Sequence, residues 1–352
     1  MEGLAENSRA RKILEDAMAK HKAPGVVAGT FKKGRIVFAE GSGAADLEFG
    51  IPANPAMPFR IGSMSKAFTA AAILKLSEKG RLKLDDTLAD FFGKVPARLK
   101  SITVAELLSH SSGIADYLGR KYSGYVPGKL FDLSREASEQ EIFENICKLP
   151  VEFRHGKRFS YSNTNYALLG FIIKEVSGIE YYRFLENEIF KPLGMSSTGV
   201  HSYREIVYNR AKGYELIKKS GGFANARFVA DAFGMLADGA LYSSIIDIAK
   251  WDAALYGSKL LRKESIQEMF SIKAPIKGNE YGYGFGWFIR SGRGKKLAEH
   301  TGSWEGFTSV IARDLDNEAS VAIFSNVYAG GSQWILGPAH KLLKLLVEEE
   351  KS

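Results

Sequence analysis

The placement of strand-forming segments constrains this chain most: they lie at its two ends, and the middle is mainly helical. Near the start, Gly25–Phe31 (GVVAGTF) and Arg35–Glu40 (RIVFAE) have strand character and flank a Lys32-Lys33-Gly34 turn. Late in the chain, Tyr283–Ile289, Lys296–His300, Thr308–Arg313 and Ser320–Asn326 share that character, separated by Gly, Asp and Asn. The two distant groups are expected to join in one antiparallel sheet. Helical spacing at Leu14, Ala17 and Met18, and again over Gly331–Glu349, places a helix at each terminus to cover a face of that sheet. Between them, helices are expected at Thr103–Ser109, Glu139–Cys147 and Tyr166–Val176. The expected fold class is α+β: an antiparallel sheet flanked by terminal helices, with an inserted all-helical domain. In this reading residues 1–62 with 236–352 form the sheet domain and residues 63–235 the mainly helical one.

Composition narrows the functional classes. With 352 residues and 45% hydrophobic content, the chain can bury the core of one large or two joined domains. No run approaches the roughly 18 apolar residues of a membrane helix. The segment MEGLAENSRARKILEDAMAKH lacks the apolar stretch and small-residue cleavage site of a secretory signal. A cytoplasmic protein without a membrane partner is the expectation. The single cysteine, Cys147, excludes an intrachain disulfide, and the six histidines never form HxxxH or HxH. No metal or other cofactor is therefore expected. The net charge of +8 is scattered rather than clustered, and no nucleic-acid motif accompanies it.

Chemistry concentrates at Ser63-Met64-Ser65-Lys66, an S-x-x-K sequence at the start of the helical run Phe59–Gly80. Residues three apart share a helix face, so Lys66 can point its amine at the Ser63 hydroxyl. Serine needs an adjacent base to act as a nucleophile, and a lysine among apolar neighbours favours its neutral, basic form. A helix N-terminus also favours developing negative charge. Two further triplets stand at element junctions. Tyr161-Ser162-Asn163 supplies a phenol that can shuttle a proton and an amide that can hold a carbonyl. His300-Thr301-Gly302 ends a candidate strand, and the next backbone N–H, of Ser303, can pair with that of Ser63 as an oxyanion hole.

S-x-x-K, Y-x-N and an H-T-G triplet, in this order, resemble the signatures of penicillin-recognising serine enzymes: class C β-lactamases, D-alanyl-D-alanine carboxypeptidases, other penicillin-binding proteins and family VIII esterases. Leu107–Gly113 (LLSHSSG), Phe159–Gly170 (FSYSNTNYALLG), Ile189–Met195 (IFKPLGM), Gly239–Trp251 (GALYSSIIDIAKW) and His300–Phe307 (HTGSWEGF) extend the likeness over most of the chain. The resemblance implies the β-lactamase/transpeptidase-like fold, with the active site in the cleft between the two domains, and an acyl-enzyme on Ser63. It makes Lys66 the proton acceptor of Ser63 or the stabiliser of its base, and Tyr161 the proton donor to the leaving group and the activator of the deacylating water. Asn163, His300, Thr301 and Gly302 would bind substrate, and the Ser63 and Ser303 N–H groups would hold the oxyanion.

Class C β-lactamases usually carry lysine where this chain has His300, and a histidine is mostly neutral at pH 7. That difference, with the absent export signal, favours an esterase with weak or no β-lactamase activity. A β-lactamase, a penicillin-binding D-alanyl-D-alanine carboxypeptidase or a D-aminopeptidase is the alternative, and a non-catalytic binding or scaffold relative the next. The expected partner is a small-molecule ester, amide or β-lactam substrate. No G-x-S-x-G occurs, which sets aside the α/β-hydrolase arrangement. Asp116, which follows SHSSGIA, is expected to cap a turn rather than join the chemistry.

Overall fold

The computed structural model describes residues 2–217, 219–292, 294–329 and 331–348. Its centre is a nine-stranded sheet, antiparallel at every pairing. The strands are β1 (Gly25–Lys32), β2 (Arg35–Asp46), β3 (Ile51–Pro52), β4 (Ala274–Lys277), β5 (Tyr281–Tyr283), β6 (Phe288–Gly292), β7 (Lys295–Trp304), β8 (Phe307–Asp314) and β9 (Ala319–Ser325). Their order across the sheet is β4-β5-β6-β7-β8-β9-β1-β2-β3. The N-terminal and C-terminal groups therefore meet where β1 pairs with β9, from Val26 opposite Ser325 to Lys32 opposite Ala319.

Alternation along the central strands feeds two cores. Val26, Ala28, Val310, Ala312, Val321 and Ile323 face the terminal helices α1 (Glu2–His21) and α5 (Gln333–Glu348), meeting Leu14, Ile335, Ala339 and Leu342. Val27, Phe31, Ile311, Ala322 and Phe324 face the other way, into a core that continues through the rest of the chain. Helix α4 (Ile245–Ala254) lies against this second face, its first turn capped by Ser244. Trp251 of α4 stacks on Phe68 of α2 (Ser65–Glu78), with ring centroids 4.0 Å apart. A buried ion pair adds a polar tie, because Arg313 Nε on β8 donates to Asp252 Oδ1 on α4 at 2.7 Å.

Helix α2 is buried on nearly every side, from Ser65 through Leu74, as expected of a central helix without a polar face. It packs against α3 (Asn163–Ser177), which ends at Gly178 in the left-handed conformation. Further helices at Val104–Leu108 and Glu139–Lys148 agree with the sequence reading.

Three particulars differ from expectation. The strand expected over Tyr283–Ile289 is two strands, because Phe285 and Trp287 leave the ladder and bury their rings. The helical stretch also holds short strands, such as Gly199–Val200 and Tyr214–Leu216, too brief for period-two alternation to show. His300-Thr301-Gly302 lies inside β7 rather than at its end, since the pairing with β8 continues to Trp304 opposite Phe307. Among the described residues, no helix is long and apolar enough to cross a membrane.

Candidate active site

Three elements converge on one recess. A single 3-10 turn, Gly62–Met64, leads into α2 and carries Ser63. The loop before α3 carries Tyr161, and β7 carries His300, Thr301 and Ser303. Ser63, Tyr161, His300, Thr301 and Ser303 all line a cavity of about 390 Å³, with Tyr281, Phe288, Arg290 and Glu299 among its other walls. A larger recess of about 620 Å³, lined by Arg183, Glu186, Arg204 and Asp231 among others, contains neither Ser63 nor Tyr161.

The approach of α2 to β7 depends on two glycines. Gly302 packs so closely on residue 61 that a Cβ would stand 1.9 Å from the Ile61 carbonyl oxygen. Gly62 has φ +49°, and a Cβ there would stand 2.8 Å from the Ser303 backbone nitrogen. Both positions need glycine for close backbone contact. The result brings the Ser303 amide alongside the residue that precedes Ser63, as an oxyanion hole made from these two N–H groups requires. Ser309 Oγ fixes the junction further, donating to the Ile61 carbonyl at 2.6 Å.

Lys66 is 0% exposed. Its Nζ lies 3.1 Å from Ser63 Oγ, 2.8 Å from Asn163 Oδ1 and 2.7 Å from the Asp238 backbone carbonyl oxygen. All three can accept, so a protonated Lys66 places each of its N–H groups. Burial pulls its pKa down to about 8, against the opposing pull of the Asp238 and Asp116 carboxylates. The Asp238 carboxyl is itself pushed upward by burial, and Tyr117 Oη donates to it at 3.2 Å.

Tyr161 stands over the amine, its ring centroid 4.9 Å from Lys66 Nζ. Burial raises its phenol well above the usual value, and a hydrogen bond with Ser63 opposes that rise. Tyr161 is therefore a phenol at neutral pH, able to relay a proton that Lys66 accepts. Aromatic rings hold it in place: Phe288 stacks at 6.3 Å with an 8° interplanar angle, and His110 lies 4.3 Å away.

His300 is 1% exposed, and burial together with Lys66 pulls its pKa to about 3, so it is neutral. Its Nδ1 lies 2.7 Å from the Thr301 carbonyl oxygen, which can only accept. Nδ1 therefore carries the proton, and Nε2 accepts from Tyr283 Oη at 2.9 Å. With both nitrogens engaged, His300 shapes the sheet wall of the recess without placing a cation there.

Every site residue singled out in the sequence is thus near the same recess, Asn163 through Lys66 and Gly302 through the β7 backbone. Asp116 caps its turn as expected, accepting from the Leu118 N–H at 3.1 Å. It also accepts from the Asn163 backbone N–H and from Asn163 Nδ2, both at 3.1 Å. The sequence reading missed that second duty, and it missed Asp238 entirely. Asp238 meets Lys66 across 172 positions of sequence. Its only sequence signal was a carboxylate immediately before the GALYSS stretch.

Comparison with known proteins agrees with this architecture. A penicillin-binding protein of Bacillus subtilis (strain 168) is 29% identical over 326 residues, covering 89% of this chain and 70% of that protein. Among solved structures, the octameric penicillin-binding protein homologue from Pyrococcus abyssi superposes with a TM-score of 0.84 at 30% identity, covering 97% of this chain and 77% of that one. The D-amino acid amidase from Ochrobactrum anthropi SV3, complexed with L-phenylalanine, gives a TM-score of 0.83 at 26% identity, covering 99% and 100%. The Beta-lactamase family model matches residues 10–342, and with the shared fold this establishes that the chain belongs to the β-lactamase family.

Proposed function

We propose that this protein is a serine hydrolase that cleaves small esters and amides through an acyl-enzyme on Ser63, with weak or no β-lactamase activity. The observation that carries the reading is Lys66 Nζ, wholly buried and 3.1 Å from Ser63 Oγ. In this mechanism the neutral Lys66 amine takes the Ser63 proton as Oγ attacks the substrate carbonyl. The Ser63 and Ser303 N–H groups hold the oxyanion, and Tyr161 passes a proton to the leaving alcohol or amine. Water then releases the acyl group with Tyr161 and Lys66 in the reverse role. Asn163, Thr301 and the His300–Gly302 segment of β7 orient the substrate. The division into residues 1–62 with 236–352 and residues 63–235 belongs to the same reading. It is supported by the origin of the facing walls, Tyr161 from the second part and β7 from the first.

Weak action on β-lactams follows from the neutral, fully engaged His300, which offers no cation to a substrate carboxylate. The rim cation Arg290 lies 3.9 Å from Glu299, which offsets its charge. A second reading, a hydrolase of D-amino-acid amides or peptides, draws support from the similarity to the D-amino acid amidase over that protein's full length.

The decisive experiment is labelling with a fluorophosphonate, followed by intact mass and peptide mapping. One adduct on Ser63, absent in a folded Ser63→Ala variant, is expected. An unlabelled wild-type protein, or labelling that survives Ser63→Ala, would refute the assignment. A panel of short acyl esters, nitrocefin and D-phenylalanine amide then ranks the substrates, with esters expected ahead of nitrocefin.

A further inference from the structure

We propose that Asp116 is a positioning residue for the acylation step: it locks the Asn163 carboxamide so that the lone pair of neutral Lys66 is left facing the Ser63 hydroxyl. The inference rests on the serine-hydrolase reading above and adds a residue that the sequence assigned only to a turn.

A neutral amine has two N–H groups and one lone pair. Of the three atoms around Lys66 Nζ, the Asp238 carbonyl oxygen and Asn163 Oδ1 can only accept, and Ser63 Oγ–H can donate. The two N–H groups must therefore go to the carbonyl and the amide oxygen. The lone pair then has one place to point, the proton that has to be removed. This arrangement fails if the Asn163 side chain turns over. A flipped amide would present its NH₂ to Lys66, capture the lone pair and leave Ser63 without a base.

Asp116 prevents the flip. Its Oδ2 lies 3.1 Å from Asn163 Nδ2. A carboxylate only accepts, so turning the amide over would set two acceptor oxygens against each other. The carboxylate is itself held: Oδ1 accepts from the backbone N–H groups of Leu118 and Asn163. The neighbouring backbone is fastened to α3 as well, with Thr164 Oγ1 donating to the Ala115 carbonyl at 2.7 Å and accepting from the Tyr117 N–H at 2.9 Å. The chain of restraint runs from the α3 N-terminus through Asp116 and Asn163 to one face of the Lys66 amine.

Asp116→Asn is the sharpest perturbation, because it is isosteric and removes the directionality. An asparagine can donate to a flipped Asn163 as readily as accept from an unflipped one. The same logic makes an orienting aspartate essential for the tautomer of a catalytic histidine. The readout is the rate of fluorophosphonate labelling of Ser63 from pH 5 to 10. On the high-pH plateau, where Lys66 is already neutral, Asp116→Asn is expected to lower the rate on the order of 10- to 100-fold. Removing a negative charge near Lys66 should also move the acid limb to lower pH, since Asp116 helps hold the amine protonated. A limb that moves while the plateau stays at the wild-type rate would show a purely electrostatic influence and overturn the proposal.

A double-mutant cycle supplies the second test. In an Asn163→Ala background, Asp116→Asn should change the plateau by less than about twofold, because its route to Lys66 is already cut. Multiplicative losses would show that Asp116 acts elsewhere and overturn the proposal. Asp116→Ser, which retains an acceptor for the turn, carries the same expectation of a lowered plateau. If neither substitution folds, as judged by thermal melting, Asp116 belongs to the fold alone and the proposal is likewise overturned. Wild-type protein that is never labelled refutes the serine-hydrolase reading; labelled wild type with unaffected variants refutes this one alone.

Discussion

The pH dependence of acylation tests the identity of the base directly. Burial pulls the Lys66 pKa down to about 8, and in the proposed mechanism the amine works only when neutral, so activity is expected to rise with pH. The neutral fraction is about one half at pH 8 and about one hundredth at pH 6 when the pKa is about 8, a fall of about 50-fold over two pH units. Above roughly pH 9 the rate should level off, because the amine is then almost wholly neutral. The other titratable groups facing this amine predict different curves. His300, pulled to about 3, and His110, far below its usual value because of burial and Lys66, would put the limb in acid. Tyr161, raised well above an ordinary phenol, would give a rate still climbing at pH 10. Asp238 and Asp116 both pull the Lys66 value upward when ionised, so they shift the same limb to higher pH and broaden it without moving it into acid. The assay is the second-order rate of Ser63 labelling by a fluorophosphonate without titratable groups, followed by intact mass. A limb centred below about pH 5, or no plateau by pH 10, would refute Lys66 as the base.

Three further outcomes follow from the same geometry. Tyr161→Phe should keep the fold and lower ester turnover by at least the roughly 100-fold of a lost general acid–base group, and near-normal turnover would remove Tyr161 from the mechanism. His300→Lys should add a cation beside Lys66, move the acid limb of labelling to lower pH, and raise nitrocefin turnover relative to a short ester. An unchanged limb and unchanged ratio would show that the charge at position 300 reaches neither Lys66 nor substrate. Arg313→Met should leave the Asp252 carboxylate buried without its cation and destabilise the protein by about 3–5 kcal/mol in urea denaturation, with turnover per folded molecule retained.

The legible parts of this protein were those with local signatures. Runs of strand-forming residues bounded by turn residues revealed strands in Gly25–Phe31 and Ser320–Asn326, and their joining in one sheet is realised by the pairing of β1 with β9. Ser63 and Lys66 were readable because a helix places residues three apart on one face, which is a property of sequence spacing alone. The split of Tyr283–Ile289 was not readable. Phe285 and Trp287 look like strand residues until the core is present to take their rings. The environment of Lys66 was equally hidden. Asn163 is 97 positions away and Asp238 is 172, and nothing in either local sequence says that they meet one amine. Asp116 misled for a different reason, because its turn-capping role is real and conceals the second bond to the Asn163 side chain.

Two opposing influences act on the Lys66 amine: burial pulls its pKa down, and the buried carboxylates around it pull it back up. Its direct neighbours are a hydroxyl, an amide oxygen and a backbone carbonyl, which bind the ammonium without the strong pull of a touching carboxylate. The two carboxylates stand one group further back, Asp116 behind Asn163 and the Asp238 side chain against Tyr117. A carboxylate in contact with Nζ would favour the cation and take the proton acceptor out of use near neutrality. With no carboxylate nearby, burial alone would depress the amine further and leave a base too weak to draw a proton from serine. The intermediate spacing resolves this conflict. Neutral His300 fits the same balance, since a cation at that position would add to the depression that burial already causes. In the proposed mechanism, the sheet-side residue that weakens the case for β-lactam recognition also spares the Lys66 amine a further fall in pKa.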